Sequence, residues 1–164
     1  WANSIRNPNL IKIGDELIVP DGIVKVKPAN SSNSVTIKRF AHLPKLVGYY
    51  LLPVGTGRMS RNGTIHGRNG VDLPKPCGTP VYAAANGTVR LAKSSGWNGG
   101  GGRMAILVHP NGTETLYAHM SNVHVKLGTE VSQGQQIGLV GSTGNSTGCH
   151  LHFEVHGAAN PYKL

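Results

Sequence analysis

The chain has 164 residues, about 38% of them hydrophobic, with 23 Gly, 10 Pro, 16 Lys+Arg, 7 Asp+Glu, 8 His and 2 Cys, for a formal charge of +9. A chain of this length holds one full domain plus an appendage and buries roughly 70% of its unfolded surface, so a core forms without staples. No apolar run reaches the roughly 18 residues of a membrane span, no signal region opens the chain, and an opening on Trp1 leads us to expect sequence upstream. The positive charge is spread, +4 over residues 1–47 and +5 over 48–164. Without a Lys/Arg run or aromatic-basic interleaving it does not mark a nucleic-acid face. Gly and Pro together make about one residue in five without a collagen period, which predicts many tight turns between short strands and few helices.

In chain order, residues 1–20 read as a polar stretch, an Asn-Pro turn and a strand Glu16 to Val19 closed by Pro20. Asn7-Pro8-Asn9-Leu10-Ile11, Gly14, Leu17 and Val19-Pro20 resemble the second half of a LysM module, a small glycan-binding unit of cell walls. Half a module is not expected to fold or bind alone. Residues 21–46, with Pro28-Ala29-Asn30-Ser31-Ser32-Asn33-Ser34, read as a linker. The main domain is expected over 47–164.

That domain is dense in Asn-Gly turn signals. Asn111-Gly112, between Met104 to Val108 and Thr115 to Ala118, predicts a hairpin with a primed turn. Gln135 to Gly141 and Cys149 to His156 are further strands. In the second, His150, His152, Glu154 and His156 share one face, and Leu151, Phe153 and Val155 share the other. The apolar face must turn inward, leaving a row of imidazoles on the other side. Asp72, one of the few carboxylates, enters a strand after the Gly-rich turn from His66. Two imidazoles and a carboxylate suit a catalytic zinc, whose fourth position stays open. With no C-x-x-C and no H-E-x-x-H, a thiolate-closed structural site and a thermolysin-like helical site are both excluded.

Five ordered stretches carry a resemblance. They are His66 to Asp72, Gly78-Thr79-Pro80-Val81-Tyr82-Ala83, Leu116-Tyr117-Ala118-His119-Met120, Gly134 to Gly138, and Gly141-Ser142-Thr143-Gly144 through His150-Leu151-His152-Phe153-Glu154. Over residues 48–157 the chain resembles the lysostaphin-type (LytM-type) zinc metallopeptidases that cut peptidoglycan peptides. The resemblance implies an all-β, mainly antiparallel fold with an open groove and one zinc per chain held by His66, Asp72 and His152. It also implies His119 and His150 as the catalytic pair, one moving the proton and the other stabilising the oxyanion. The usual first motif is H-x-G-x-D, which would put its histidine at position 68. Arg68 stands there and cannot ligate. We therefore expect a loop two residues longer that brings in His66.

Cys77 and Cys149 flank these motifs, so if the motifs converge a disulfide is expected in an exported protein, the alternative being two buried free thiols. Trp97, in the Gly-rich stretch 94–102, and Tyr117 are groove candidates, and 141–148 reads as a turn beside the site rather than a phosphate loop. His42, His109, His124 and His156 read as surface bystanders. The functional expectation is a monomeric, extracytoplasmic zinc endopeptidase on peptidoglycan stem or cross-link peptides, aided on glycan by an intact LysM module upstream. The diffuse charge suits wall polyanions. No nucleic-acid partner is expected. The alternative is a catalytically silent relative that binds wall or activates an amidase.

Overall fold

The computed structural model describes residues 42–55 and 66–162, with the backbone of two short strands near the start. The chain divides into two compact units, Trp1–Ile37 and Lys38–Leu164. In the first, β1 (Leu17–Val19) pairs antiparallel with β2 (Gly22–Val24), Ile18 opposite Ile23. Beyond these two strands, the LysM reading and the linker reading up to residue 41 lie outside the described residues. The second unit takes in residues before position 47, and the Pro44 carbonyl accepts the Ala159 N–H at 2.9 Å.

Among its described residues the second unit has nine strands. They are β3 (Gly70–Pro74), β4 (Pro80–Tyr82), β5 (Gly87–Lys93), β6 (Arg103–Val108), β7 (Glu114–Met120), β8 (Asn122–Val123), β9 (Glu130–Val131), β10 (Gln136–Leu139) and β11 (His150–His156). One sheet has the order β3-β11-β7-β6-β5-β9 and the other β4-β10-β8, every pairing antiparallel. Among the described residues the only helical turn is a 3-10 turn at Asn98–Gly100. This is the all-β architecture expected from the turn-rich composition.

The core lies on one face of the larger sheet. Leu151, Phe153 and Val155 of β11 are fully buried there with Leu107, Tyr117 and Ile137, each such side chain contributing about 1.5–3 kcal/mol. The other face of β11 carries His150, His152, Glu154 and His156, as the alternation required. A disulfide joins Cys77 to Cys149 with Cα atoms 5.2 Å apart, tying the segment after β3 to the start of β11.

The β6–β7 hairpin forms, but through a different turn from the one expected. Asn111 keeps a negative φ, Gly112 takes φ +79°, and the Gly112 N–H reaches the His109 carbonyl at 3.0 Å. A two-residue primed turn would need Pro110 to pair with Thr113, and proline has no N–H to give. His109 pairs with Thr113 instead, across a three-residue loop. Positive φ at both central residues of an Asn-Gly turn occurs at Asn98 (48°) and Gly99 (66°).

His109 is a correction to the surface reading, because it is only 2% exposed. Its Nδ1–H donates to the Asn86 carbonyl at 2.8 Å, and its Nε2 meets the Thr115 hydroxyl at 2.8 Å, which in turn contacts the Tyr117 hydroxyl at 2.9 Å. Tyr117 corrects the groove reading. It is fully buried, packs on Phe153 with ring centroids 5.4 Å apart, and accepts the Ala84 N–H at 2.8 Å.

Candidate metal centre

Strand register builds half of the site. Asp72 on β3 pairs directly with His152 on β11, so both side chains leave the same face, and His152 Nδ1 lies 2.9 Å from Asp72 Oδ1. His150, two residues along the same face, brings its Nε2 to 3.7 Å from that oxygen.

Irregular backbone builds the other half. His66 and Gly70 close on each other with backbone bonds of 3.0 and 2.8 Å, leaving Gly67, Arg68 and Asn69 as a loop with φ +57° at Gly67 and +68° at Asn69. The buried Asn69 amide donates to the carbonyls of Val155 (2.6 Å) and Ala158 (2.7 Å), and Asn160 donates to the Asn69 carbonyl at 3.0 Å. Held this way, the longer loop carries His66 Nε2 to 3.1 Å from Asp72 Oδ1. The donor atoms of His66, Asp72 and His152 all lie within 4.8 Å of one another. Two imidazoles and a carboxylate at that separation fit zinc.

His119 arrives through a bulge. Arg103 pairs with Met120 and Ala105 with Tyr117, so β7 holds one residue more than β6 across this stretch. Tyr117 and His119 share parity, and in an unbroken strand both would face the core. The extra residue puts His119 at φ +62°, a left-handed conformation rare for any residue but glycine. The Gly101 carbonyl accepts its N–H at 2.9 Å, and its ring Nδ1–H donates to the Thr143 carbonyl at 2.8 Å. Its ring centroid stands 4.7 Å from His150 and 5.8 Å from His152. His150 similarly donates Nδ1–H to the Gly148 carbonyl at 2.9 Å, so both rings keep Nε2 for the site.

The 141–148 turn thus borders the site, with Gly141 bridged to His150. Thr143 also accepts the Arg103 N–H (2.9 Å), and Asn145 N–H donates to the Gly100 carbonyl (2.7 Å). Trp97, 62% exposed, stands on the turn whose Gly101 end holds His119.

Electrostatics follow from this packing. Burial pushes His119 down, the nearby His150 and His152 add to that, and the Thr143 carbonyl opposes it. Burial alone would raise Asp72, but the His152 hydrogen bond and the surrounding imidazoles hold it below its usual value. Burial would lower His152, yet Asp72 and Glu154 on its two nitrogens raise it to about 9. Burial would raise Glu154, but bonds from His152 and His156 bring it down to about 2.

Two partners escaped the sequence reading. Glu154 accepts the His152 Nε2–H at 3.1 Å, and His156, read as a bystander, donates its Nε2–H to Glu154 at 2.6 Å. The alternation of β11 already set both on the face of His152; what was missed is that the carboxylate bonds to the imidazoles on either side of it. Thr143 carried no such signal, since its main-chain carbonyl does the work.

The profile of peptidase family M23 matches residues 66–163. The chain is 42% identical over 87 residues to peptidoglycan DD-endopeptidase ShyA of Vibrio cholerae, covering 53% of this chain and 20% of that protein. It is 48% identical over 86 residues to DD-carboxypeptidase/endopeptidase Mpg of Neisseria meningitidis, covering 52% of this chain and 19% of that protein. The chain therefore spans about a fifth of the length of these curated relatives. Among solved structures it is similar to the catalytic domain of the antimicrobial peptidase lysostaphin from Staphylococcus simulans, with 36% identity, TM-score 0.52, and coverage of 70% of this chain and 86% of that one.

Proposed function

The chain belongs to peptidase family M23, and from that premise we propose that it is a zinc-dependent endopeptidase hydrolysing peptide bonds in peptidoglycan stem or cross-link peptides. The observation that carries this reading is the His66–Asp72–His152 cluster with its donors within 4.8 Å. Nε2 of His66, the Asp72 carboxylate and Nδ1 of His152 would hold one zinc ion. Zinc there supplies Lewis acidity toward a peptide carbonyl and an attacking water.

The remaining chemistry falls to His119 and His150. Each gives its Nδ1–H to a backbone carbonyl and turns Nε2 to the site, so each can take a proton there or, once protonated, donate to a developing oxyanion. Exposed Trp97 would line the groove beside them. The disulfide suits an oxidising, extracytoplasmic setting, and among the described residues no helix is long and apolar enough to cross a membrane. We read the chain as a monomer, guided to glycan by an upstream LysM module of which residues 1–20 are the end.

The test is to incubate the protein with purified sacculi, with and without chelator and with zinc restored, and to identify new amino termini. Chelator-sensitive peptide cleavage is expected. Wall binding without such cleavage leaves the catalytically silent reading in its place.

A further inference from the structure

The β3–β11 register sets Asp72 opposite His152 but does not fix the rotation of the His152 ring. Glu154 does. It lies two residues along the same face, is 7% exposed, and its Oε1 takes the His152 Nε2–H at 3.1 Å, leaving Nδ1 turned toward Asp72. The same Oε1 takes the Arg68 backbone N–H at 3.3 Å. Arg68 stands where the H-x-G-x-D pattern has its histidine, so at this position the chain uses a main-chain amide on Glu154.

The loop fits closely against this pair. A β carbon at Gly67 would sit 3.1 Å from Glu154 Oε1, and one at Gly70 would sit 2.7 Å from His152 Cε1. The second oxygen is occupied too: His156 donates at 2.6 Å, and its other nitrogen faces Glu114 at 3.8 Å, which pairs with Arg90 at 2.7 Å. Glu154 reaches the donor cluster through His152 rather than as a ligand, because it meets the ring on the nitrogen away from Asp72.

We propose that Glu154 is a positioning residue for two of the three donors at once, orienting the His152 ring and clamping the extended loop that delivers His66. Outer partners of this kind change metal affinity by about 10–100-fold. The inference rests on the zinc reading above.

The test measures zinc affinity of the full chain by chelator competition, at a temperature well below each variant's melting midpoint. Glu154→Gln is expected to bind zinc at least tenfold more weakly. Gly67→Ala, which presses a β carbon on the same oxygen, is expected to weaken binding as well. The double variant should be no more than about twofold weaker than the weaker single, since both break one contact. A loss under tenfold in Glu154→Gln, or losses that multiply in the double variant, overturns the proposal. Should Glu154→Gln not fold, Gly67→Ala decides alone, and an unchanged affinity overturns it. If the unaltered chain takes up no zinc, the zinc reading itself falls, a result distinct from all of these.

Discussion

Asp72, His150 and His152 reach the site by strand register, whereas His66 and His119 reach it through a loop and a bulge with left-handed backbone. The first group is held by the sheet: moving any of them means breaking a β3–β11 pairing that also buries Leu73 and Leu151. The second group is held by a few discrete hydrogen bonds, from Asn69 and Glu154 on one side and Gly101 and Thr143 on the other. Main-chain positions of the first kind should tolerate change in their surroundings, the His152 ring alone turning on Glu154. Those of the second kind should be displaced by substitutions that never touch the chemistry.

The largest effect tests whether the two routes deliver equal partners. His152→Ala, from the register group, and His66→Ala, from the loop, should each reduce zinc affinity by more than the roughly 100-fold that an outer partner commands. Zinc content after dialysis against a metal buffer measures this. Unchanged stoichiometry and affinity in His66→Ala would remove the loop residue from the ligand set and leave a cluster of two.

His119→Ala comes next. It should keep zinc and its melting behaviour yet lose about 10²–10⁴-fold in peptide cleavage, the usual worth of a positioned acid or base. Loss of metal in this variant would mean that His119 belongs with the ligands, and that the bulge serves binding rather than proton transfer.

Asn69→Gly separates the two routes more finely. Glycine accepts the φ of +68° at this position, so only the side-chain bonds to Val155 and Ala158 are lost. Each such bond is worth about 1 kcal/mol. We expect several-fold weaker zinc binding, with cleavage at saturating zinc nearly restored. Leu151→Ala, by contrast, should cost about 2–5 kcal/mol of stability in urea and leave zinc affinity of the folded protein nearly unchanged.

The same division explains what could be read from the residues. The alternation His150-Leu151-His152-Phe153-Glu154 is a period-2 pattern, and it forecast both the buried face of β11 and its row of imidazoles. Asp72 was legible because carboxylates are scarce. The placement of His66 followed from Arg68 being unable to ligate. Tyr117 does not reach the groove although it shares parity with His119, because parity holds only in an unbroken strand; one inserted residue in β7 sends the tyrosine to the core and the histidine to the site. His109 went wrong because Pro110 chose the turn, and with it came a pairing to Thr113 and burial among Asn86, Thr115 and Tyr117. Main-chain carbonyl partners such as Thr143 leave no mark on residue type.

The smallest expected effect lies in the regular half and depends on His109. Burial lowers its pKa below the ordinary 6.5, with the Asn86 carbonyl and the Glu114 charge only partly opposing. The folded state therefore prefers the neutral ring. Below about pH 6.5 the unfolded chain takes up a proton that the folded chain resists, so the stability tied to His109 is complete above that value. It is lost as the pH falls toward the folded-state pKa, and no more is lost below it. His119, also lowered by burial, adds a slope of the same sign, and His152, raised to about 9, adds one of the opposite sign, so His109 is read by difference. Between about pH 7 and pH 5 the urea midpoint of metal-free protein should lose more, or gain less, in the unaltered chain than in His109→Gln. Equal slopes in the two proteins would shift the acid sensitivity from the β6–β7 hairpin to the bulge at His119, making the irregular half the weak point for folding as well as for zinc.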